Sequence, residues 1–227
     1  MTRTAFANLD PHIPVVAVDV AIFTVGGDEL KVLLVNVKKR PYAGMWALPG
    51  GIIRSDESLE EAAYRELAEK TGMKNVYLEQ LYTFGEVGRD RTRRAISTVY
   101  FALANAEGLT LRTTEKYAGI EWFPVKKLSR LAYDHAGVIR YSVKRLRSKL
   151  EYSNVVWSLL PKTFTLTELQ SAYEAILSKK LDKRNFRKKI LSLKLLAPTG
   201  KMKRWGAHRP AELYRFKTRK PAIVKVL

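Results

Sequence analysis

The chain has 227 residues, 46% of them hydrophobic, and no cysteine. That length accommodates two modest domains with their own cores, while the absence of cysteine excludes disulfides and thiolate metal sites. The formal net charge of +19 points to a polyanionic partner, nucleic acid first.

No apolar run approaches the ~18 residues needed to cross a bilayer, and the N-terminal stretch has no leader pattern. The expectation is a cytoplasmic chain with no membrane partner. Val15 to Phe23, rich in β-branched residues, is predicted as a strand. Gly26-Gly27-Asp28 marks a turn and Leu30 to Val37 a second strand, so the pair reads as a hairpin. Lys38 to Gly44 is a basic loop, and Trp46 to Ile53 is short and extended around Pro49-Gly50-Gly51. A helix is expected from Ser55 to Gly72, then strands at Val76–Phe84 and Ala95–Leu103. The loop between those strands, Gly85 to Arg94, holds four arginines. A short strand at Ile120–Phe123 and helices near Val125–Leu131 and Ala136–Leu150 complete a first α/β domain. In Tyr133-Asp134-His135, the histidine reads as a capping or packing residue.

Composition changes near Tyr152. Residues 153–227 hold 18 Lys and Arg against 4 Asp and Glu, whereas residues 1–152 hold 23 against 18. The expected domains are therefore 1–152 and 153–227. Ser153 to Leu160 is expected to be a connecting helix. Thr165 and Glu168 form a capping-box pattern before a helix whose apolar face is Leu166, Leu169, Tyr173, Ile176 and Leu177. After a short turn, Asp182 can cap a second helix, Lys183 to Leu193. Phe186, Ile190 and Leu193 form its apolar face. Lys183, Arg184, Asn185, Arg187 and Lys188 sit on its other faces as candidate DNA contacts. Helix, turn and basic helix is the helix-turn-helix layout, in which Arg and Asn can read base edges and Lys contacts phosphate. The basic stretch with Lys201, Lys203, Arg204 and Arg209, followed by a strand at Ala211–Phe216, reads as a charged wing.

In the first helix Glu57, Glu61 and Arg65 share one face, with Glu66, Glu69 and Lys70 beside them. By spacing alone this fits ion pairs on a charged face as well as a divalent-cation site. The whole run resembles the Nudix box, Gly-x5-Glu-x7-Arg-Glu-U-x-Glu-Glu-x-Gly-U, where U is bulky and aliphatic. The matching residues are Gly51, Glu57, Arg65, Glu66, Leu67, Glu69, Gly72 and Met73, after the lead-in Trp46-Ala47-Leu48-Pro49-Gly50-Gly51. The resemblance implies a nucleotide-diphosphate pocket and a Glu cluster holding a metal that activates water. One position departs: Lys70 stands where the pattern has a metal-binding Glu, and an ammonium has no lone pair for a cation. No catalytic residue and no required cofactor are then expected. Mg²⁺ would be held only weakly by Glu66 and Glu69. Arg40, Trp46, Arg89 and Arg91 are the leading candidate ligand contacts, with Arg93 and Arg94 in the same loop; core packing stays open for Trp46 and a solvated loop or DNA contact for the loop arginines.

Domain order, together with Leu-Pro-Lys-Thr-Phe-Thr-Leu-Thr-Glu-Leu-Gln and Lys-Arg-Asn-Phe-Arg-Lys-Lys, resembles the Nudix-related transcriptional regulators of the NrtR type. That resemblance implies a Nudix α/β/α sandwich joined to a C-terminal winged helix-turn-helix. It also implies a homodimeric repressor on a palindromic operator in double-stranded DNA. The effector would be ADP-ribose or a related nucleotide or sugar, and the genes those of NAD or sugar metabolism. The competing expectation is a Mg²⁺-dependent Nudix hydrolase of ADP-ribose-like diphosphates with a nucleic-acid-tethering tail. RNA binding is a third.

Overall fold

Strand β1 (Val15–Gly26) is buried without interruption from Val18 to Thr24, as befits a strand covered on both faces. Strand β2 (Glu29–Val37) returns antiparallel across a tight turn in which Gly27 takes a positive φ of 62°. These and all later coordinates come from a computed structural model that describes residues 13–73, 76–107, 109, 111, 115, 117–204, 210–224 and 226. β3 (Trp46–Ala47), β4 (Gly50–Ile52), β5 (Tyr77–Phe84), β6 (Ala95–Leu103) and β7 (Tyr117–Pro124) complete a mixed sheet of order β3-β2-β1-β6-β5. β4 adds to β1, and β7 adds to β2. β1 and β6 run parallel.

Side chains alternate across β1, so Val18, Val20 and Ile22 face one layer and Ala21 and Phe23 the other. Helix α1 (Leu59–Thr71) covers the first set with Ala62, Ala63 and Leu67. Helix α2 (His135–Tyr152) covers the second with Val138, Ile139, Val143 and Leu146. The result is the expected α/β/α sandwich.

Several element bounds differ from expectation. α1 starts at Leu59, not Ser55, because Ser58 forms a reciprocal capping box with Glu61. It ends as expected at Gly72, which takes the left-handed conformation. The helix expected over 125–131 is a single 3-10 turn, Val125–Lys127, since Leu131 is drawn into a bridge with Trp46. The connecting helix expected over 153–160 shrinks to Val155–Ser158, as Asn154 binds the returning C-terminal segment at Lys220 and Ala222. β7 is longer than the predicted strand because its whole length pairs with β2.

The second unit contains β8 (Phe164–Thr165), helix α3 (Leu166–Leu177), helix α4 (Lys183–Ser192), β9 (Leu196–Lys203) and β10 (Ala211–Phe216). Its sheet runs β8-β10-β9. Thr165 and Glu168 form the predicted capping box of α3, and Asp182 caps α4 by accepting from the Asn185 N–H at 2.8 Å. The wing strand begins at Leu196, earlier than the segment after Gly200 suggested, because Leu196 pairs with Phe216. One hydrophobic cluster spans both units, holding Leu30, Leu146 and Leu150 together with Phe164, Leu169, Tyr173 and Ile176.

Candidate functional site

The box helix is closed by its own cations. Arg65 grips Glu57 with two bonds, at 2.6 and 2.7 Å, and donates to Glu66 at 2.7 Å. Arg65 hydrogen bonds hold the Glu57 carboxyl down at about 2. Glu69 lies 3.4 Å from Arg54 and 3.7 Å from Arg65. Lys70 is buried with its ammonium against the Glu66 carboxylate, and it donates to the Gly50 carbonyl. A divalent cation does not fit this arrangement, because an ammonium stands where a ligand oxygen would be and the carboxylates face Arg and Lys donors. Among the described residues, no group of three or more His, Asp or Glu converges as a metal site.

Gly50 and Gly51 form a thin wall between this network and a cavity of about 350 Å³. A Cβ on Gly50 would fall 2.2 Å from an Asp19 oxygen and 2.6 Å from the Val18 carbonyl, so that position tolerates no side chain, and one on Gly51 would fall 2.3 Å from a Glu66 oxygen and displace its carboxylate. Asp19 from β1, Tyr117 from β7, Arg89 and Arg93 from the 85–94 loop, and Tyr133 and His135 beside the start of α2 line the cavity. Asp19 accepts from Ser97 at 2.6 Å and from Arg89 at 3.1 Å, with His135 Nε2 at 3.5 Å. Burial opposes its charge, but His135, Arg89 and Ser97 outweigh that and hold the carboxyl well below the usual range. His135 Nδ1 accepts from the Leu48 N–H at 2.8 Å, which fixes the ring. Tyr133 holds a positive φ of 54°, a conformation rare outside glycine, and packs against Tyr42 with centroids 4.2 Å apart and the rings tilted by 43°. Burial pushes its hydroxyl up to about 12, and that of Tyr117 higher still.

The four candidate ligand contacts divide. Arg89 lines the cavity, already paired with Asp19 and Asp134. Trp46 does not line it; its ring packs on Phe123 with centroids 4.6 Å apart and borders Gly119. Arg40 and Arg91 are exposed and also lie outside the lining. Arg93, from the arginine loop expected to reach the ligand, lines the cavity, whereas Asp19, Tyr117 and Tyr133 had no place among the expected contacts. His135 is the packed residue anticipated and a cavity wall as well.

On the second unit, Arg184 and Lys188 lie on α4 opposite the buried Phe186 and Ile190, and with Lys183 and Asn185 they are exposed. Arg187 leans back instead, donating to Thr167 at 3.2 Å. In the wing, Lys201 and Arg204 are exposed, while Lys203 pairs with Glu168 at 2.8 Å. Arg209 lies outside the described residues.

Residues 14–146 match the NUDIX domain, and residues 156–216 match the NrtR DNA-binding winged helix domain. The ADPR responsive transcriptional repressor NtrR of Acinetobacter baylyi is 37% identical over 207 residues, covering 89% of this chain and 82% of that protein. The crystal structure of Shewanella oneidensis NrtR complexed with a 27mer DNA superposes with a TM-score of 0.79 at 36% identity, over 89% of this chain and 93% of that one. The NUDIX domain of the same protein complexed with ADP ribose matches at 35% identity with a TM-score of 0.55, over 64% of this chain and 99% of that one. The chain belongs to the NrtR family of Nudix-related transcriptional regulators.

Proposed function

We propose that this protein is a transcriptional repressor that binds duplex DNA through its winged helix and ADP-ribose through its Nudix domain, acting as a homodimer in the cytoplasm. The Lys70–Glu66 pair carries the choice of sensing over hydrolysis: a buried internal cation holds the box helix where a hydrolase would need oxygen ligands for its metal. The cavity suits a nucleotide. Tyr133 and Tyr117 offer ring faces, Asp19 offers an acceptor for ribose hydroxyls, and Arg89 and Arg93 offer donors for a diphosphate. Arg184, Asn185, Lys183 and Lys188 supply the major-groove face, with Lys201 and Arg204 on the adjacent backbone.

The test is a mobility-shift titration on a duplex selected by this protein from a random-sequence library. ADP-ribose is expected to release the duplex, and no AMP is expected to form from it in Mg²⁺. Unchanged DNA affinity at saturating ADP-ribose removes it as effector; turnover at an ordinary enzymatic rate removes the sensing role.

A further inference from the structure

Two elements lead from the cavity to the winged-helix unit. β1 carries Asp19 at the cavity and ends at the Gly27 turn, and α3 packs against the β1–β2 hairpin. α2 begins with His135 at the cavity and presents Arg147 roughly 12 residues later, about 18 Å along a helix. Arg147 Nε donates to the Ile176 carbonyl at 2.8 Å, and its Nη2 to the Ser178 hydroxyl at 2.9 Å. Those groups belong to the C-terminus of α3, where carbonyls lack helical partners and a cation complements the dipole.

Beyond that contact the links are tight. Glu174 on α3 accepts from the Leu181 N–H at 2.9 Å and from Gln170 at 3.0 Å, and it pairs with Lys180. Asp182, the next residue, caps α4. At the cavity end, Arg89 joins β1 to α2 by bonding Asp19 at 3.1 Å and Asp134, the N-cap of α2, at 3.0 and 3.1 Å. The Asp134 side chain is 26% exposed against 9% for Asp19, so Asp134 gives up the guanidinium more readily.

We propose that α2 is the coupling rod of this regulator. A diphosphate in the cavity draws Arg89 from Asp134 and frees the start of α2. Arg147 passes the shift to α3 and, through Glu174, to the DNA-reading helix. A cleft of about 290 Å³ beside Arg147, lined by Asp28, Glu29, Lys126 and Lys180, leaves α3 room to move. The choice of a diphosphate rests on the ADP-ribose assignment above; the route through Arg89, α2 and Arg147 rests on the contacts themselves.

Hydrogen exchange on the full chain tests it in two arms. With ADP-ribose, exchange over 176–192 is expected to change about fivefold or more, the lower end of ordinary allosteric coupling. In Arg147→Ala, calorimetric affinity for ADP-ribose stays within about twofold and that response is lost, with Arg147→Lys in between. The ligand-free arm uses Asp134→Asn, which loosens Arg89 by itself. It is expected to raise exchange over 176–182 when Arg147 is present and not in the double variant. A ligand response that survives Arg147→Ala overturns the proposal, as does an Asp134→Asn chain with unchanged exchange there. Failure of the wild-type protein to bind ADP-ribose overturns the effector assignment alone, and the ligand-free arm then decides the coupling.

Discussion

The Lys70 ammonium and the Glu66 carboxylate form an ion pair four residues apart on α1, each side chain only 1% exposed. A pair this deep resists removal of either partner, because the survivor keeps its desolvation penalty without its counter-charge. Lys70→Met leaves Glu66 with Arg65 alone and is expected to lower stability by about 3 kcal/mol, the low end for a broken buried pair. Urea unfolding checks this, with the midpoint falling and the slope unchanged. Lys70→Glu restores the acidic pattern. Mn²⁺ is then expected to raise the melting temperature of the variant and not of the wild type. Equal stabilisation of both by Mn²⁺ would show that Lys70 does not block the metal.

Glu57 makes the box helix sensitive to acid. In the fold Arg65 holds its carboxyl at about 2, against an ordinary value of 4.5. Between those values the unfolded chain binds a proton that the folded chain does not, so stability rises with pH across that window. The contribution is complete above about pH 4.5 and is lost as pH falls toward 2. Glu57→Gln is expected to flatten the stability profile over that interval and leave its shape near neutrality unchanged. A Glu57→Gln chain with the same acid slope as the wild type would place the sensitivity elsewhere.

The cavity predicts which arginines matter for the effector. Arg93 and Tyr133 line it, and Arg40 does not. Arg93→Ala removes a charged donor and Tyr133→Ala a ring face. Arg93→Ala is expected to weaken ADP-ribose about tenfold or more by calorimetry, since charged hydrogen bonds contribute roughly 1.5–3 kcal/mol, and Tyr133→Ala to weaken it severalfold, since an aromatic contact contributes roughly 0.5–1.5 kcal/mol. Arg40→Ala is expected to change affinity by less than about twofold. A large effect of Arg40→Ala with none from Arg93→Ala would put the phosphates outside this cavity.

How much of this was legible in the sequence depended on distance along the chain. The strands β1 and β2, the capping box at Thr165/Glu168, and the Lys70–Glu66 pair are local patterns, with partners a few residues apart; the Ser58/Glu61 box is as local but goes unread behind the nearby Ser55. The cavity is not local. Asp19, Arg89, Tyr117 and His135 come from four separate segments, joined only when β1 pairs with β6 and α2 docks beneath the sheet. For Trp46 the sequence leaves ligand contact and packing open, and only the register with Asn36 sets its ring against Phe123. Among the wing cations, charge alone could not separate Lys201, exposed, from Lys203, held by Glu168.

That last contrast yields a prediction about DNA. Arg184 faces away from the core of α4, where it can read a base edge, so Arg184→Ala is expected to cost about 1–3 kcal/mol and to relax base preference at the position it contacts. Lys188→Ala and Lys201→Ala are expected to weaken binding on every sequence alike and to lower the slope of log K against log salt by about 1 each. Lys203 is committed to Glu168 at 2.8 Å, and its replacement is expected to leave that slope nearly unchanged while loosening the link between wing and α3. Fluorescence anisotropy on the selected duplex and on a scrambled one, at several salt concentrations, separates the three effects. Equal slope changes for Lys201→Ala and Lys203→Ala would mean that DNA pulls Lys203 from its carboxylate, making the wing–α3 contact part of the binding transition.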